Sequence, residues 1–119
     1  ALYNARANLK PLVFAGPKWG GQLMLTTDVE NYPGFPNGIL GPELMTRMKD
    51  QIVRFGAEFV TQNATSIDVS KKPFEITAGE KVFKAYSVIV ATGALTKWLG
   101  VPGEKELIGR GVSSCAPCV

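Results

Sequence analysis

The clearest pattern along the chain is the recurrence of Leu44, Met45, Met48, Ile52 and Phe55, a spacing that places apolar side chains on one face of a helix. Pro42 stands in the first turn, where its missing N–H costs nothing, Glu43 suits the positive end of the helix dipole, and Gly56 supplies the stop. Upstream, ALYNARANLK begins on strong helix formers with no capping residue ahead of Ala1, and Asn8 offers a stop. Pro11-Leu12-Val13-Phe14-Ala15 then reads as a short buried strand. Helix followed by strand is the second half of a βαβ unit, so the pattern predicts a first strand ahead of Ala1.

Gly16-Pro17-Lys18-Trp19-Gly20-Gly21 reads as a loop, and the polar run from Gln22 to Asn31 leads into a second one, Tyr32-Pro33-Gly34-Phe35-Pro36-Asn37-Gly38. Beyond the long helix, strands are predicted over 58–60, 65–69, 74–77 and 82–84, with Ala78-Gly79-Glu80 as a hairpin turn. Tyr86-Ser87-Val88-Ile89-Val90-Ala91 is predicted to be a strand covered on both faces, ending on Thr92-Gly93-Ala94. An irregular connector containing Trp98-Leu99-Gly100-Val101-Pro102-Gly103 and Gly109-Arg110-Gly111 follows, and the sequence has no internal repeat.

Composition narrows the class. In 119 residues, 45% are hydrophobic and 19% charged, as in a globular protein rather than a disordered or fibrous one. The net charge of +3 comes from scattered residues, with Lys71-Lys72 the longest basic run; this describes a solvated surface, not the clustered basic face that meets nucleic acid. No apolar stretch approaches the roughly 20 residues that cross a bilayer, so no membrane segment is expected. The N-terminal stretch lacks the basic start and apolar core of a signal peptide, and the expected location is cytoplasmic.

Three stretches could carry chemistry. Gly20-Gly21-Gln22 allows a close backbone approach, and the amides of Gln22 and Asn31 can both donate and accept; on local evidence alone a turn with local caps is the better reading. Val90-Ala91-Thr92-Gly93-Ala94 has the form found where a ligand sits beyond the carboxyl end of a parallel strand. The third is the C-x-x-C formed by Cys115 and Cys118, the only two cysteines. As a zinc half-site it supplies two of about four ligands, and a chain without histidine must find the others among carboxylates or on a second subunit. As a thioredoxin-type site it has the proline but needs a following helix, and only Val119 follows. As a redox pair it shuttles electrons between a bound cofactor and a protein disulfide.

Taken in order, Gly20-Gly21-Gln22-Leu23, Thr26-Thr27-Asp28-Val29-Glu30-Asn31-Tyr32-Pro33-Gly34, Gly41-Pro42-Glu43-Leu44-Met45, Ala91-Thr92-Gly93-Ala94 and Gly109-Arg110-Gly111-Val112-Ser113 with the C-x-x-C resemble the low-molecular-weight, bacterial and plant type of thioredoxin reductase. The resemblance implies an α/β fold: part of the FAD-binding domain of the two-dinucleotide-binding-domain, Rossmann-like disulfide oxidoreductases, with an antiparallel β excursion. Residues 1–108 would be the first segment of the FAD domain, lacking its first strand and Gly-x-Gly-x-x-Gly, and 109–119 the start of the NADPH-binding and redox domain. It also implies a homodimer in which NADPH reduces FAD, FAD reduces the Cys115/Cys118 dithiol, and the dithiol reduces thioredoxin. By position, Gly20, Gly21, Gln22, Asn31, Ala64, Thr92, Gly93 and Ala94 would contact FAD. Cys118 would face the flavin and Cys115 attack the thioredoxin disulfide, while the NADPH site would lie outside these residues.

The sequence departs from that family at several points. It contains no Gly-x-Gly-x-x-Gly, Val119 stands where an aspartate commonly follows the second cysteine, and Pro117 replaces a small or β-branched residue. Valine cannot transfer a proton, which leaves room for a reductase-like flavoprotein with another electron donor or another disulfide substrate. A non-catalytic zinc-binding module is a further alternative, though it gives the glycine and amide signatures no purpose. Because both phosphate-binding loops are missing, the 119 residues alone are expected neither to hold FAD tightly nor to turn over. A yellow, flavin-loaded preparation of this chain would overturn that expectation.

Overall fold

The computed structural model describes residues 1–115, in two units: Ala1–Ile89, and the residues from Val90 onward. The first unit opens on α1, Leu2–Arg6, with no side-chain cap at Ala1. Asn8 takes a positive φ of 60° just past its end, a conformation that asparagine tolerates better than most residues. β1 follows over Leu12–Phe14, as the apolar run predicts.

The stretch read from sequence as a loop and a polar run contains regular structure. A 3₁₀ helix spans Gly21–Leu25, and β2, Asp28–Val29, pairs antiparallel with β3, Ile39–Leu40. Each strand has two residues, too few for a period-two pattern to emerge. Val29 and Ile39 face each other in this ladder and, with Leu44, form the buried cluster against which Leu23, Phe35 and Met48 pack.

α2 runs over Gly41–Arg54, and the apolar stripe places Leu44 at its most buried point, 2% exposed. The end is a Schellman motif: the N–H of Gly56 reaches the Val53 carbonyl, that of Ala57 reaches the Ile52 carbonyl, and Gly56 takes a φ of 87°. At the start, Gly41 donates to the Thr27 carbonyl at 2.9 Å. A Cβ on Gly41 would lie 2.0 Å from the Leu23 carbonyl oxygen and 2.5 Å from Thr26 Cγ2, so only glycine lets α2 begin this close to the 3₁₀ helix.

The chain then returns as β4, Glu58–Val60, parallel to β1 with Leu12 opposite Glu58 and Phe14 opposite Val60. Helix α2 is thus the crossover of a β-α-β unit. β5, Ala64–Asp68, β6, Phe74–Ala78, and β7, Lys81–Ala85, form a separate antiparallel sheet in that order, turning at Gly79 as expected. Beyond β5, the Ser70 hydrogen bonds hold the Asp68 carboxyl below its ordinary range. Phe83 of β7 packs edge-on against Phe14 of β1, with ring centroids 5.1 Å apart.

The strand predicted over 86–91 does not form: no described strand pairs with these residues, and Ile89 and Val90 are 74% and 80% exposed. An apolar run needs both a ladder partner and cover on each face, and the described residues supply neither. No described helix is long and apolar enough to cross a membrane.

Gly41→Ala separates the packing constraint from helix propensity. Alanine gains up to about 1 kcal/mol as a helix former. The clash is with a backbone carbonyl that cannot swing aside, and overpacking of that kind costs about 1–3 kcal/mol. A net loss is expected, read as a lower urea midpoint with an unchanged slope.

Candidate functional site

β1 and β4 point the same way, so the segments leaving their carboxyl ends emerge side by side. The ladder extends past both strands: Ala15 donates to the Val60 carbonyl at 2.9 Å and Gly16 to the Gln62 carbonyl at 3.3 Å. From the first end the chain runs through Trp19 to Gly20, Gly21 and Gln22; from the second it reaches Ala64. The crevice beyond the carboxyl ends of parallel strands is where open α/β sheets bind their ligands.

Trp19 anchors the first of these segments. Its ring meets Phe59 of β4 edge-on at 5.8 Å, and the Lys49 ammonium of α2 lies 4.7 Å from the Trp19 centroid and 4.9 Å from that of Phe59. A cation shared by two ring faces ties helix, strand and loop together. Sequence reasoning missed this anchor, because Trp19, Lys49 and Phe59 acquire their relation only through the crossover.

The two adjacent glycines serve different ends. Both adopt positive φ, 92° at Gly20 and 63° at Gly21. A Cβ on Gly20 would lie 2.4 Å from Met24 Cγ, so Gly20 answers to local packing; at Gly21 nothing lies within 4 Å. Gly21 therefore presents open backbone at the head of the 3₁₀ helix, next to the exposed Gln22. Asn31 is exposed in the loop joining β2 to β3, and Ala64 is exposed at the start of β5, beside a register shift that separates it from Ser66. Gly21, Gln22, Asn31 and Ala64 thus all occupy exposed positions of the first unit, with open backbone at Gly21.

Thr92, Gly93, Ala94 and Cys115 belong to the second unit. Thr92, Gly93 and Ala94 are exposed, with Gly93 at a φ of 72° and open space where a Cβ would stand. Cys115 is half-buried and disulfide-bonded; Cys118 lies outside the described residues.

This unit contains no helix or strand among its described residues and is organised by turns. Glu104, 6% exposed, accepts hydrogen bonds from the Leu99 N–H at 2.9 Å and the Gly100 N–H at 2.7 Å, one on each carboxylate oxygen. Residues 107–112 form a second knot: Val112 and Arg110 both donate to the Leu107 carbonyl, and Gly109 donates to that of Val112. Glu104, Trp98, Val112 and Ser113 line a shallow cavity of about 380 Å³. No local signal marks Glu104 in the sequence, since Glu106 two residues on has the same side chain and stays exposed.

The family model for the pyridine nucleotide-disulphide oxidoreductases matches residues 1–119. The chain belongs to this family. Over 120 residues it is 53% identical to the bifunctional thioredoxin reductase/thioredoxin of Mycobacterium leprae, covering 99% of this chain and 26% of that protein. A solved structure of thioredoxin reductase from Giardia duodenalis matches with a TM-score of 0.84 and 44% identity, covering 98% of this chain and 38% of that one. The chain is also 44% identical over 118 residues to a glucosaminate ammonia-lyase of Pseudomonas fluorescens, covering 99% of this chain and 37% of that protein. It therefore spans between about a quarter and two fifths of the length of these relatives.

Hydrogen bonds to a charged group are worth about 1.5–3 kcal/mol each, and Glu104 makes two to amides that its loss would leave unpaired. Glu104→Gln keeps the size but turns an NH2 group toward one donor. Amide hydrogen exchange at Leu99 and Gly100 is expected to quicken at least tenfold, while that of α2 residues stays unchanged.

Proposed function

We propose that this chain contributes an FAD site and the start of the redox segment to a thioredoxin reductase. The observation that carries the reading is Cys115, disulfide-bonded at the C-x-x-C of a chain belonging to the pyridine nucleotide-disulphide oxidoreductases. Support in the first unit comes from the segments that leave the carboxyl ends of β1 and β4, and Gly20, Gly21, Gln22, Asn31 and Ala64 would contact FAD; the family reading adds Thr92, Gly93 and Ala94 of the second unit. Residues 1–108 would belong to the FAD domain, and the redox domain would begin at 109.

Bound there, FAD would carry an electron pair from NADPH toward the Cys115/Cys118 pair. The protein's own part is thiol-disulfide exchange. The Cys115 thiolate attacks one sulfur of the thioredoxin disulfide, breaking that bond and forming a mixed disulfide. Cys118 then attacks the Cys115 sulfur, closing the chain's disulfide and releasing reduced thioredoxin with both electrons. The working form would be a cytoplasmic homodimer.

A second reading keeps the flavoprotein scaffold but gives it another substrate or electron donor. It is favoured by the Pseudomonas relative, whose name records a different reaction at 44% identity, and by Val119, which cannot move a proton.

The test is NADPH-dependent thioredoxin reduction by the protein extended to the length of its relatives. One FAD per chain is expected, and Cys115→Ser and Cys118→Ser should each abolish turnover; retained turnover in either contradicts the shuttle. A yellow protein that leaves thioredoxin oxidised supports the second reading.

A further inference from the structure

We propose that Ser113 is a positioning residue that sets the thiol-disulfide equilibrium of the C-x-x-C. Its hydroxyl accepts a hydrogen bond from the Cys115 N–H at 3.1 Å and donates one to the Cys115 carbonyl at 2.9 Å. One oxygen thus holds both backbone groups of the cysteine, which requires a group that donates and accepts at once; a hydroxyl does both, whereas a methyl does neither.

The anchor beneath the hydroxyl is what makes it effective. Ser113 follows directly on the hydrogen-bonded knot of residues 107–112, where Val112 and Arg110 converge on the Leu107 carbonyl and Val112 bridges Ile108. The hydroxyl carries that order across the intervening Ser114 to a cysteine lying outside any helix or strand. Closing a disulfide loses conformational entropy, and a backbone already fixed loses less of it. The Ser113 bonds occur with Cys115 in its disulfide-bonded state, so the backbone geometry they hold is one that the closed state accepts.

The inference rests on reading Cys115 and Cys118 as a redox pair, but its test needs neither flavin nor thioredoxin. The full chain is equilibrated with reduced and oxidised dithiothreitol, which gives up two electrons and two protons as it forms its ring and leaves the protein with two thiols. The dithiol fraction is read by alkylation and mass spectrometry. Ser113 is exposed and water competes for its bonds, so the effect is bounded. Ser113→Ala is expected to shift the equilibrium toward the dithiol about tenfold, or about 30 mV for a two-electron couple. Ser113→Thr, which keeps the hydroxyl, stays near the parent value, and Ser113→Val, its isostere without one, shifts as alanine does. Should the alanine variant fail to fold, the threonine and valine pair still isolates the hydroxyl. Equal equilibria for threonine and valine, or a fall in thermal stability with no shift in the dithiol fraction, overturn the proposal. Thioredoxin reduction can fail in the longer protein without altering this result, so the two failures are distinguishable.

Discussion

The parallel pairing of β1 with β4 is the constraint on which the first unit depends. It carries the chain on to Gly16 and Gln62, 46 positions apart in the sequence, whose backbones hydrogen-bond beyond the strand ends. Three residues on each side make a weak ladder, and parallel pairs are usually covered on both faces. Here the reinforcement is aromatic: Phe83 packs against Phe14, and Trp19 against Phe59 with Lys49 over both rings. Lys49 lies on the crossover helix, so the contact that steadies the strand pair also fixes the helix connecting it. Gly41 completes the arrangement at the other end of α2 by admitting the 3₁₀ helix to backbone contact.

What the sequence made legible follows from how local each determinant is. The α2 stripe, its proline and its glycine stop all lie within the 15 residues from Pro42 to Gly56, and the helix forms where they place it. The β6–β7 hairpin is likewise set by a turn and its flanks. β2 and β3 escape such reading because each is two residues long and exists only by facing the other. The run over 86–91 fails in the opposite way. Its pattern states correctly that those residues need cover, but a periodicity cannot say what supplies it. Among the site residues, Gly21 and the C-x-x-C announce themselves by type and spacing. Glu104, Ser113 and Trp19 do not, because their value lies in partners that the fold selects.

The likenesses to known proteins bear on what such a segment can specify. Relatives with differently named reactions share it at comparable identity. In the proposed reading the first unit contacts a cofactor, and one cofactor can serve many reactions. Only the dithiol speaks directly of disulfide chemistry. The proposed function therefore draws most of its FAD contacts from the first unit and its reaction from a few residues of the second.

Those two units are ordered by different means, and the difference matters for chemistry. The first is held by ladders, a helix and a small apolar cluster, so order at any one position is shared among many contacts. In the second, described order rests on turns and on single side chains that grip backbone: Glu104 on two amides, Ser113 on both groups of Cys115. Exposed hydrogen bonds of this type contribute little to overall stability, because water replaces them when they break. They can still decide the conformation of a segment that has no ladder of its own. A cysteine that cycles between disulfide and thiol gains from that kind of control, since a modest local bias moves its equilibrium while the rest of the fold is undisturbed.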